Sequence, residues 1–145
     1  MASPRRPRPA ADPLTKPFWD SAHRHVLAVQ RCGACAVYQH PPQLRCHHCG
    51  STSRLGYEPV SGSARVVSWT RVCQGLVAGF EDVVPYVNVV VELVEQPGLF
   101  MVTDHPGADP AFVDRLRTGA PMQVRFEEVE PGLTLPQFRF AKDDI

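Results

Sequence analysis

Apolar and polar positions along this chain alternate in short blocks. The blocks SARVVSWTRVC, PYVNVVVEL, LFMVTD and PMQVRFEEVE have strand character, and a last piece, PQFRF, follows them. Turn residues separate the blocks: Ser61-Gly62, the stretch 75–82, Gln96-Pro97-Gly98, Pro106-Gly107 and Glu130-Pro131-Gly132. Between the third and fourth blocks lies DPAFVDRLRTGAP. Its Phe112, Val113 and Leu116 share one helical face, and Gly119 is a natural stop. Four or five short strands with one short helix after the third are the parts of a small OB-fold barrel.

The N-terminal third reads differently. Residues 14–25 predict a short helix, with Thr15 as N-cap, Pro17 in the first turn, and Phe18, Ala22 and His25 at helical spacing. HVLAVQRC predicts a strand that runs into a cysteine cluster. The expected organisation is therefore a flexible tail over 1–13, a leading helix and strand entry over 14–27, a zinc ribbon over 28–58 and a barrel over 59–142. The fold class is mainly β.

Cysteine spacing brings in chemistry. Cys32 and Cys35 form one C-x-x-C pair and Cys46 and Cys49 another, with ten residues between the pairs. Each pair places two sulfurs on one tight turn, and two such turns close a tetrahedron. Zinc suits four thiolates, with bonds of about 2.3 Å, and iron would give a rubredoxin-type electron carrier instead. The short loop of a ribbon favours one structural zinc ion. A site saturated by four cysteines leaves no open position for substrate. Gly50 follows the second pair, where positive φ helps the turn, and Ala36 stands at the matching place after the first. His47 and His48 read as exposed residues of the second turn, and Cys73, in a predicted strand, as a buried inert thiol.

Composition narrows the function. No apolar run approaches the roughly 20 residues that span a bilayer. The arginines of MASPRRPRPAADP are not followed by the apolar core of a secretory signal, and five cysteines suit a reducing cytoplasm better than a disulfide framework. Met1 and this tail suggest a free-standing subunit. The formal charge is zero, but its distribution is uneven: +5 over residues 21–71 and −7 over 72–145. No Gly-rich phosphate loop, G-x-S-x-G elbow or other catalytic set stands out, so no catalytic residue is assigned.

The pieces, in order, resemble a known family. They are PFW (17–19), CGAC (32–35), PPQLRCHHCG (41–50), VSGSARVVSWT (60–70), PYVNVVVEL (85–93), GAPMQVRFEE (119–128) and LPQFRF (135–140). The family is a domain-of-unknown-function family with a rubredoxin-like zinc ribbon and an OB-fold, found in acyl-CoA-metabolising systems. The resemblance implies an accessory subunit of a thiolase-superfamily partner, whether aldolase, thiolase or acyltransferase, in steroid side-chain or other lipid degradation. It also implies help in forming an acyl-CoA site, and for some members a hot-dog enoyl-CoA hydratase as neighbour. A dimeric partner would give a two-plus-two heterotetramer. Phe18 and Trp19 are candidate partner-binding residues; no residue is assigned to CoA. The competing reading is a zinc-ribbon/OB-fold nucleic-acid-binding protein. The acidic barrel half and its few aromatics weigh against that reading.

Overall fold

The computed structural model describes residues 6–141. Helix α1 spans Lys16–His23. A three-stranded sheet follows, ordered β2-β1-β3, from β1 (Ala28–Cys32), β2 (Tyr38–Gln39) and β3 (Leu55–Pro59). The barrel strands are β4 (Ser63–Val72), β5 (Tyr86–Leu93), β6 (Phe100–His105), β7 (Pro121–Glu130) and β8 (Leu133–Phe140). They form one antiparallel sheet ordered β6-β5-β4-β7-β8. Helix α2 (Pro110–Val113) lies between the third and fourth barrel strands, where the sequence predicts a helix.

Strand β5 shows why the chain folds this way. Val87, Val89, Val91 and Leu93 are fully buried, while Asn88, Val90 and Glu92 alternate with them on the outer face. These inner residues share one core with Val66 of β4, Met122 of β7 and Phe138 of β8. Phe18 of α1 and Leu27 and Val29 of the small sheet join this same core. Ribbon and barrel thus share one hydrophobic interior. The turn at Gly62 needs glycine: its φ is +77°, and a Cβ would lie 2.2 Å from Val124 Cγ1.

The barrel closes without a main-chain ladder between its edge strands β6 and β8. Side chains of Thr103, Gln137 and Arg139 make that seam, the last donating from Nη1 to Asp104 O at 3.0 Å. Thr103 Oγ1 donates to Gln137 Oε1 at 2.6 Å and accepts from Phe138 N at 2.9 Å. Asp104 N also donates to Gln137 Oε1, at 3.2 Å, and Gln137 Nε2 donates to Asp104 Oδ1.

Three local expectations change. Helix α1 stops at His23, and Thr15 does not cap it through its side chain; the Thr15 hydroxyl instead bonds back to Asp12 Oδ1 at 3.0 Å. Helix α2 is a single turn, capped by Asp109 through Ala111 N, after which the chain continues in tighter turns that still bury Leu116. Cys73 is exposed rather than buried, because β4 ends one residue before it.

Candidate metal centre

Both cysteine turns are built alike. In the first, Ala36 N donates to Cys32 O at 2.8 Å and Cys32 N to Val37 O at 3.0 Å. In the second, Gly50 N donates to Cys46 O at 2.9 Å and Cys46 N to Ser51 O at 2.8 Å. The fourth residue after each leading cysteine has positive φ: 66° at Ala36 and 79° at Gly50. Glycine adopts this freely, whereas alanine pays roughly 1–2 kcal/mol for it. The same loop geometry is therefore imposed on both halves, at a local cost in the first.

The turns bring four sulfurs together. All four ligand atoms lie within 4.8 Å of one another. Cys32 Sγ is 3.6 Å from Cys49 Sγ, and Cys35 Sγ is 3.6 Å from Cys46 Sγ. Sulfurs bound to one zinc tetrahedrally stand about 3.8 Å apart, given bonds of about 2.3 Å. The donor set fits zinc, and the site can hold one ion. Cys32 and Cys46 are buried, Cys35 is half-buried and Cys49 exposed, so the cluster sits at the surface with its leading cysteines inward.

Main-chain N–H groups aim at the sulfurs. Those of Cys49 and then His48 hold the Cys46 thiol down at about 6, against the desolvation of that site. Those of Cys35 and Ala34 lower Cys32 in the same way. Cys35 is pushed up to about 12: the Val37 N–H favours its thiolate, but desolvation and the three neighbouring sulfurs outweigh it. Four thiols so close cannot all shed protons without a cation. A bound zinc supplies that charge and deprotonates its ligands.

A buried amide network supports the second turn. Gln39 Nε2 donates to Gln30 Oε1 at 2.6 Å and to Arg45 O at 3.2 Å. Gln39 Oε1 accepts from His47 N at 3.0 Å and from His47 Nδ1 at 2.6 Å. Gln30 pairs with the main chain of Gln43 in both directions at 2.9 Å. The residues on either side of Cys46 are thus fixed from β1 and β2. His47 and His48 are exposed, as the sequence predicts, but His47 is also part of this network. Neither Gln30 nor Gln39 is conspicuous in the sequence. Their only signal is a polar residue at an inward strand position.

The ribbon is held to the barrel by a second amide. Gln96, in the turn between β5 and β6, accepts from Tyr38 N at 2.8 Å and donates to Tyr38 O at 2.9 Å. Tyr57 Oη reaches Leu14 O at 2.6 Å. Phe18 is buried, its ring edge-on to Trp19 at 5.1 Å. Trp19 is half-buried and lines an apolar cavity of about 670 Å³ with Pro41, Phe100 and Val102. Phe100 and Val102 are exposed on the edge strand β6.

Known proteins share this arrangement. Residues 19–54 match the family model described as the ChsH2 rubredoxin-like zinc ribbon domain, and residues 57–127 the model of the ChsH2 C-terminal OB-fold domain. The chain is similar to a solved chain of an Ltp2-ChsH2(DUF35) aldolase, with 34% identity and a TM-score of 0.76, over 92% of this chain and 98% of that one. It is also 37% identical over 136 residues to a probable enoyl-CoA hydratase alpha subunit of Thermomonospora curvata. That match takes in 94% of this chain but spans only 40% of the relative's length. Among the described residues no helix is long and apolar enough to cross a membrane.

Proposed function

This chain belongs to the ChsH2 family of zinc-ribbon and OB-fold proteins, and on that premise we propose that it is a non-catalytic accessory subunit of an acyl-CoA enzyme. Its partner is a thiolase-superfamily protein that cleaves, transfers or condenses acyl-CoA esters, as in steroid side-chain or other lipid degradation. The observation that carries this reading is end-to-end similarity to a solved chain of an Ltp2-ChsH2(DUF35) aldolase. The zinc is structural, because four thiolates fill its coordination sphere. The cluster stiffens the ribbon, and the shared core and the Gln96–Tyr38 clamp pass that stiffness to the barrel. The chain completes and stabilises its partner and helps shape the acyl-CoA channel. The basic surface of residues 21–71 attracts the CoA phosphates.

The apolar cavity beside Trp19 is where we place partner contact. Exposed Phe100 and Val102 continue that surface along β6. Trp19→Ala should weaken partner association more than it lowers the melting temperature of the isolated chain. Equal melting losses with unchanged association would argue against this placement.

A second reading follows from the hydratase relative: the partner, or a neighbouring domain, is an enoyl-CoA hydratase. One experiment separates the readings. The tagged chain is purified from its native host and co-eluting proteins are identified by mass spectrometry. A near-stoichiometric thiolase-superfamily protein supports the first, and a hydratase without it supports the second. Recovery of nucleic acid or of transcription or ribosomal proteins would overturn both.

A further inference from the structure

Residues 6–9 read Arg-Pro-Arg-Pro, and they lie across the open end of the barrel. The Arg6 guanidinium sits over the Phe80 ring, 5.0 Å from its centroid, and Arg6 Nε donates to Gly79 O at 3.3 Å. Arg8 Nε meets Glu130 Oε1 at 2.5 Å. These anchors stand on two different connections. Gly79 and Phe80 belong to the loop between β4 and β5, and Glu130 ends β7 at the turn into β8. These are the loops that frame the binding mouth of an OB-fold in general.

The arm bridges the mouth without filling it. A cavity of about 470 Å³ remains, lined by Val129, Leu133 and Leu135 and by the polar groups of Asp104, Glu127 and Arg139. Arg139 is engaged with Glu127 at 2.5 Å, so the cation that answers Glu130 comes from the arm. Alternating prolines fix φ near −65° and remove main-chain donors, which keeps such a segment extended before it binds. An aromatic ring, a carboxylate and an apolar floor are the elements of a groove that reads extended proline-containing segments. The hold is weak: the ion pair is solvent-exposed and the ring contact lies at the surface. Together they amount to roughly tenfold in the closed-to-open ratio.

We infer that the barrel mouth is a recognition groove for the chain's own arginine–proline arm, and that residues 6–9 occupy it as a displaceable strap. The inference stands apart from the proposed enzyme partner. The acidic lining of the mouth selects a basic peptide over a nucleic acid.

The test uses a fluorescein-labelled synthetic peptide of residues 1–13 and fluorescence anisotropy. It is titrated with the full-length chain and with the double variant Arg6→Ala, Arg8→Ala. The double variant should bind about tenfold more tightly than the unaltered chain, since its mouth is free. Adding Glu130→Gln or Phe80→Leu should remove most of the gain. Circular dichroism melting checks that each variant folds, and the near-isosteric Glu130→Gln carries the test if Phe80→Leu does not fold. Equal affinity for the unaltered chain and the double variant, or equal binding of a scrambled peptide of the same composition, would overturn the inference.

Discussion

Replacing Gln39 with leucine should damage the metal site without touching a ligand. Gln39 is 4% exposed and makes four hydrogen bonds through its side chain: to Gln30, to Arg45 O, and from two groups of His47. Leucine matches its bulk but answers none of them. Gln30 Oε1 keeps the Gln43 N–H, so it is not orphaned. Arg45 O and the His47 N–H flank Cys46 directly, and both lose a partner beside a buried sulfur. A net loss of about 1 kcal/mol per hydrogen bond, with some water rescue at exposed His47, gives roughly 2–4 kcal/mol. A looser second turn should also weaken zinc binding by about 10- to 100-fold, the usual cost of removing an outer-shell partner. The assay is competition for zinc against a chromogenic chelator, alongside thermal melting at fixed free zinc. A drop on the order of 10 °C should accompany the affinity loss. A variant with unchanged zinc affinity would show that the two turns hold their geometry alone, and would refute the supporting role of the network.

Other expectations can be checked as directly. Cys46→Ser should lower the zinc content from one ion per chain towards none and unfold the ribbon, because metal binding is part of its folding free energy; retained ribbon structure with no zinc would show the metal to be dispensable. Phe138→Ala removes a ring that is 0% exposed at the centre of the core and should cost about 3–5 kcal/mol in urea unfolding. Burial holds His40 below the usual imidazole value of 6.5, and desolvation followed by the charge of Arg139 does the same for His105, against the opposing pull of Asp109, Asp104 and Glu127. Above pH 6.5 both states leave these rings neutral. As pH falls through 6.5 the unfolded chain takes up protons that the folded chain refuses, so stability declines until the folded values are passed. Urea midpoints at pH 7.5 and 5.5 should show the decline, and a flat profile would count against both assignments.

The parts of this fold that repeat a simple period are legible in the sequence. Val87, Val89, Val91 and Leu93 announce both a strand and its inner face. The two C-x-x-C pairs announce a tetrahedron because their spacing is the geometry. Other parts lie in pairings that no local window contains. β2 is two residues long, and β3 carries glycine and proline, so neither has a period to detect. Tyr38 and Gln96 are 58 residues apart, and each reads as an ordinary surface residue until the main chain brings them together. Gln30 and Gln39 look solvated for the same reason. Residues 6–9 have a tail's composition, and only the folded barrel reveals the ring and carboxylate that meet them.

The seam between β6 and β8 has an evolutionary consequence. Main-chain ladders are nearly indifferent to which residues carry them, so they survive substitution. The closure of this barrel instead depends on side chains, those of Thr103, Gln137 and Arg139 at the seam and the core packing behind them. A substitution at Thr103 or Gln137 removes hydrogen bonds from the seam while leaving every ladder intact. Relatives with the same strand order are free to differ in whether their edges are sealed or offered to another chain.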